Sequence, residues 1–127
     1  MVHLLEKTQR LEQEADAFGF RWENPEQIMS QIESECQEIR DHLHASKTEA
    51  TSVMLQEEIG DLLHAAFSLC VFCGFSPSDT LDKTLLKFER RLNAVKQLAN
   101  EQGLTHLNGH SFDELMHFWA TAKQRVG

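Results

Sequence analysis

Two acidic pairs, Glu35-x-x-Glu38 and Glu58-x-x-Asp61, stand at nearly equal distances on either side of a turn expected near Ser46–Thr48. On a helix, residues three apart share one face, about a turn from each other. Two helices folded back antiparallel at that turn bring all four carboxylates to the same height. Such a cluster is costly: two unit charges 4 Å apart repel by about 4 kcal/mol at an effective dielectric near 20. A divalent cation bound through oxygen is the simplest offset. Mg²⁺ leads, because it takes carboxylates together with phosphate oxygens.

The rest of the chain agrees with helices. There is no Tyr and no strand-like alternation, and the two prolines both follow a capping residue. A first helix is expected over Val2–Ala17, with Leu4, Leu5, Thr8, Leu11 and Ala15 as its apolar stripe and a stop around Gly19. Phe18, Phe20 and Trp22 form an aromatic connection. A second helix opens at Asn24-Pro25, with Gln27 placed to close a capping box, and runs to about Ala45. Its apolar positions are Ile28, Ile32, Cys36, Ile39 and Leu43. A third is expected over Glu49–Cys73, acidic at first and then apolar nearly all round; such a helix is usually buried, often by a second subunit. Gly74 is its stop. Ser76-Pro77 opens a fourth helix reaching Gln102, with Gly103 beyond. Ser111 and Glu114 open a fifth that continues to about Arg125. The expectation is therefore all-α: a four- or five-helix, bundle-like single domain over residues 1–127, with the acidic motifs on an antiparallel pair and an apolar third helix that offers a surface to a partner.

Charge and composition exclude several roles. A net charge of −8 disfavours a nucleic-acid polymer and an anionic membrane surface as partners. The apolar run Leu62–Phe75 is interrupted by His64 and Ser68 and is too short to span a bilayer. Met1–Arg10 carries no leader-like apolar stretch, and an odd cysteine count (Cys36, Cys70, Cys73) fits reduced thiols, so a cytoplasmic location is expected. Cys70-x-x-Cys73 has no second pair for zinc and no βαβ context, and reads as a buried structural pair.

Each singled-out residue also has a plain reading. Acidic pairs commonly sit on solvated helix faces. Lys87 and Arg91, four apart on one face, ordinarily face solvent or pair with Glu. Trp119 and Trp22 are more often packing than ligand contacts. His64, three after Asp61, is more often a core or interface histidine than a partner to a metal ligand. Two other functions compete. One is a di-iron or di-manganese carboxylate bundle, which Asp61-x-x-His64 and Glu114-x-x-His117 superficially fit but which leaves Glu35-x-x-Glu38 without a place. The other is a non-enzymatic helical module whose acidic face binds a partner.

Taken together, the motifs resemble those of the MazG-type nucleoside triphosphate pyrophosphohydrolases. Glu35-x-x-Glu38 followed by Glu58-Ile59-Gly60-Asp61-Leu62-Leu63 resembles the family's acidic signature. Lys87-Phe88-Glu89-Arg90-Arg91 is similar to its basic motif, and Ser111–Trp119 with Lys123 to its C-terminal element. Gly19-Phe20-Arg21-Trp22 is similar to the segment before the first motif. The match runs in order over residues 18–125, although Ser34 stands where many members carry another glutamate. The resemblance implies an all-α fold that forms a homodimer or homotetramer. It implies hydrolysis of an NTP or dNTP to the monophosphate and pyrophosphate, dependent on Mg²⁺, with Mn²⁺ as a substitute. It assigns Glu35, Glu38, Glu58 and Asp61 to the metal, and Lys87, Arg91, Trp119 and Lys123 to the nucleotide. On this reading Glu38 or Glu35 orients or deprotonates the attacking water.

Overall fold

The computed structural model describes residues 2–127. Met1, part of the single-domain expectation, lies outside them. Five helices follow one another: α1 Val2–Phe18, α2 Pro25–Leu43, α3 Glu49–Phe72, α4 Pro77–Glu101 and α5 Phe112–Val126. Among the described residues there is no strand.

Local chemistry sets the helix ends. Asn24 is extended (φ −154°, ψ 162°) and its side chain accepts from the Gln27 amide, while Pro25 needs no partner for an N–H it lacks. The Gln27 side chain accepts from Glu23 N at 2.7 Å, so the expected capping box closes one residue early. At α5 the box is reciprocal: Glu114 N donates to Ser111 Oγ and Ser111 N to Glu114 Oε1, at 3.2 and 3.1 Å. The start of α3 uses a box absent from the sequence reading, in which Thr48 and Thr51 cap each other. Threonine at the third position replaces the usual Glu or Gln. The stop after α3 is Gly74, at φ 86°, a left-handed conformation open to glycine at little cost. It allows Phe75 N to donate back to Cys70 O and Gly74 N to Val71 O, each at 2.9 Å.

The chain divides into two compact units, Met1–Thr80 and Leu81–Gly127. In the first, α3 folds back along α2 after the connection 44–48, and α1 packs on α3. Ile28 is fully buried here, with Leu5 and Ala65 nearly so. Glu12 of α1 accepts from Ser68 Oγ at 2.7 Å and pairs with His64 Nε2 at the same distance, tying α1 to α3. In the second unit Ala94 and Leu98 of α4 pack with Phe118 and Ala122 of α5, flanked by Val95, Leu104 and Leu107.

Within one chain Ala65 and Ser68 of the apolar second half of α3 are buried, while Leu63 is 55% and Phe72 41% exposed. One expectation changes. Cys70-x-x-Cys73 is not a buried pair. Cys73 caps the end of α3 and is exposed, while half-buried Cys70 donates its thiol to Thr80 Oγ1 at 3.2 Å. Among the described residues no single helix is long and apolar enough to cross a membrane.

Candidate metal centre

Glu35 and Glu38 project from α2 and Glu58 from α3 onto common ground. One carboxylate oxygen from each lies within 4.8 Å of the other two. The fold-back of α3 along α2 produces this convergence, as the placement of the motifs about the turn predicts. Glu35 is buried at 7% exposure, Glu58 is half-buried and Glu38 is exposed. Asp61, one turn beyond Glu58, is exposed and is not one of the three. The structure therefore brings together three of the four acids singled out by the sequence.

Polar groups in this place lack partners. Glu35 Oε2 and Glu58 Oε2 are both buried with no hydrogen bond. A buried acceptor left unpaired costs a desolvation penalty of about 1–3 kcal/mol, more when charged. Two such oxygens in one cluster need either protons or a cation. The Glu58 carboxyl is pushed up to about 7, chiefly by a hydrogen bond shared with Glu38, then by desolvation, a hydrogen bond shared with Glu35, and the charges of both. An all-oxygen donor set with unsatisfied, inward-facing anionic atoms fits a hard divalent cation. Among the described residues, the one donor to the cluster from outside the three acids is Gln31, whose Nε2 gives a 2.7 Å hydrogen bond to Glu35 Oε1. The sequence reading does not single out Gln31; its only signal is the four-residue spacing from Glu35 on α2.

The histidines do not extend the cluster. His64 is turned to Glu12, and Glu114 is engaged at the cap of α5. Neither acid–histidine pair joins a metal-competent group among the described residues.

The other singled-out residues lie in the second unit. Trp119 is half-buried, with the Phe88 ring 5.8 Å away and the Arg91 guanidinium 5.7 Å over its face, a cation–π placement. Trp119, Phe88, Leu92 and Met116 line an open apolar hollow of about 340 Å³. Arg91 Nε also donates to Gly127 O at 2.9 Å. Lys87 and Lys123 are exposed. Trp22, in the first unit, is half-buried between exposed Phe20 and α2 in the sequence.

The helices define an all-α protein whose folded-back pair carries a cluster of three acids. Residues 23–96 match the family model described as the MazG nucleotide pyrophosphohydrolase domain, and the chain belongs to that family. It is similar to a nucleoside triphosphate pyrophosphohydrolase/pyrophosphatase MazG of Thermotoga maritima, with 29% identity over 97% of this chain and 45% of the relative. It is also similar to the nucleoside triphosphate pyrophosphohydrolase of Escherichia coli K12, with 26% identity over 95% of this chain and 45% of the relative. The chain thus spans a little under half the length of these curated relatives. The family match contains the three clustered acids, Asp61, Lys87 and Arg91; Trp119 and Lys123 lie beyond it.

Proposed function

We propose that the chain is a single MazG-like domain that hydrolyses a nucleoside triphosphate, NTP or dNTP, to the monophosphate and pyrophosphate. The observation that carries this reading is the pair of buried, unpartnered oxygens on Glu35 and Glu58 within the three-acid cluster. Family membership and the names of the relatives supply the reaction class.

Glu35, Glu38 and Glu58 would hold the divalent cation, Mg²⁺ or Mn²⁺, with Asp61 one turn along α3 as a fourth acid beside it. When bound, such an ion neutralises phosphate charge and makes a coordinated water more acidic. Glu38, the most exposed of the three, accepts the proton of the attacking water or orients it, with Glu35 as the alternative base. Attack falls on the α-phosphorus: a bond forms from the water oxygen, the α–β bridge breaks, and pyrophosphate leaves. Lys87 and Arg91 bind the departing pyrophosphate charge; an arginine can do so through two parallel hydrogen bonds. Trp119 and the apolar hollow beside it offer a face to the base, and Lys123 adds positive charge one turn further along α5.

The working form in this reading is a homodimer or homotetramer. Exposed Val53, Met54, Ile59 and Leu63 on α3 give apolar area for a second copy to cover.

The test is an assay of purified protein with Mg²⁺ and a panel of NTPs and dNTPs, measuring pyrophosphate and orthophosphate separately. Pyrophosphate as the first product, lost in Glu38→Ala, is the expected result. Orthophosphate as first product places attack on the γ-phosphorus and contradicts the proposal. No hydrolysis with any divalent ion favours the interaction-module alternative.

A further inference from the structure

The geometry points to Gln31 as a positioning residue that fixes Glu35 and reserves its second oxygen for the cation. This rests on the metal-site reading above and goes beyond it.

Gln31 and Glu35 are four residues apart on α2 and so share a face. The Gln31 amide donates to Glu35 Oε1 at 2.7 Å, a short bond for a neutral donor and an anionic acceptor. The opposite oxygen, Oε2, is buried without a partner on a side chain that is itself more than nine-tenths buried. One oxygen is therefore tied down, and the other is buried in the same three-acid cluster without a partner. Among the described residues no side chain outside the three acids, other than Gln31, donates to Glu35, Glu38 or Glu58. Glutamate is a flexible side chain, and immobilising it costs rotamer freedom whenever it must ligate. A hydrogen bond formed before the ion arrives removes part of that cost. It also leaves Glu35 a single free oxygen, which suits a small octahedral ion that takes carboxylates one oxygen at a time. A larger ion such as Ca²⁺ readily accepts both oxygens of one carboxylate.

Gln31 is exposed, so replacing it disturbs no core. Gln31→Met keeps the length and removes the donor. Gln31→Glu keeps the shape and puts an acceptor against an acceptor. The readout is direct Mn²⁺ binding to the protein without nucleotide, by electron paramagnetic resonance titration, followed by displacement with Mg²⁺ and with Ca²⁺. Glu58→Gln is the companion variant.

Partners that orient a metal ligand are typically worth about 10–100-fold in metal affinity. Gln31→Met is expected to weaken Mn²⁺ about tenfold and Gln31→Glu at least as much, and both shift competition toward Ca²⁺. A role confined to helix stability would lower the melting temperature of the metal-free protein and leave affinity and Ca²⁺ competition unchanged. Native-like Mn²⁺ affinity in both Gln31 variants, with binding lost in Glu58→Gln, overturns the positioning role and leaves the metal site standing. Native-like Mn²⁺ affinity in Glu58→Gln overturns the metal site, and the role of Gln31 with it.

Discussion

Glu101 in α4 has the Arg125 guanidinium of α5 at 2.6 Å, whereas Glu58 in α3 has two further carboxylates as its neighbours. The contrast recurs through both helix pairs. In the second unit Glu114 accepts from the Ser111 amide and closes a cap, and Phe118 and Ala122 fill a core. In the α2–α3 pair two anionic oxygens are buried with nothing to satisfy them. Shifts in proton affinity follow. Glu101 and Glu114 are held below the ordinary carboxylate range, Glu101 chiefly by its hydrogen bond from Arg125 and Glu114 by bonds from Ser111. Glu58 is pushed the other way, up to about 7. Stable folds satisfy buried polar groups, and the places where they do not are expected to be functional. By that criterion α2–α3 is built to receive something, and the α4–α5 contacts are built to hold.

The largest effect tests the holding side. Phe118→Ala removes the phenyl ring of a residue only 7% exposed, and should cost about 3–5 kcal/mol of stability in urea titration. A cost under 1 kcal/mol would mean that the α4–α5 core is not what stabilises the second unit.

Next is Glu58→Gln, which should reduce pyrophosphate release at least about 100-fold, since loss of a ligand should exceed the effect of losing a ligand's support. The metal-free protein should melt at a higher temperature at pH 8, because the substitution relieves like-charge repulsion. Loss of activity together with loss of stability would instead make Glu58 a structural acid.

Gly74→Ala is expected to cost roughly 1 kcal/mol, because alanine is strained at φ 86°. Open space around the position leaves backbone strain as the whole effect.

The smallest effects are in pH. Glu58 holds its proton in the folded chain up to about 7, and the unfolded chain releases it near 4.5. Between those values the folded state binds more protons, so this group's contribution falls as pH rises through that window and is level above it. Glu101 and Glu114 have lowered values, so their contribution is present above the unfolded value and is lost as pH falls below it. Thermal melts in EDTA across pH 4–9 should show the first slope removed by Glu58→Gln and the second reduced by Arg125→Met. A slope of unchanged size in Glu58→Gln would break the contrast between the two regions.

Most of the fold is legible in the sequence because local chemistry decides it. Asn24-Pro25, Ser76-Pro77, Ser111 with Glu114, and the glycines at 19, 74 and 103 mark helix ends to within a residue or two. The Thr48–Thr51 box escapes because its third position departs from the usual pattern. Convergence of Glu35, Glu38 and Glu58 follows from helical spacing and one turn. Asp61 obeys the same spacing, yet lies exposed outside the three, since depth along a helix pair depends on packing that periodicity does not encode. His64 is engaged by Glu12, whose position 52 residues away no local pattern reveals. Cys73 follows an apolar run but sits at its exposed end, where hydropathy averaged over the run misleads.

The most direct test of the three-acid cation site is a diffraction experiment at the manganese edge on crystals grown with Mn²⁺. The account predicts an anomalous peak about 2.0–2.2 Å from one oxygen each of Glu35, Glu38 and Glu58, absent in Glu58→Gln crystals. A fully occupied manganese elsewhere, with these three carboxylates protonated or turned to solvent, would contradict it.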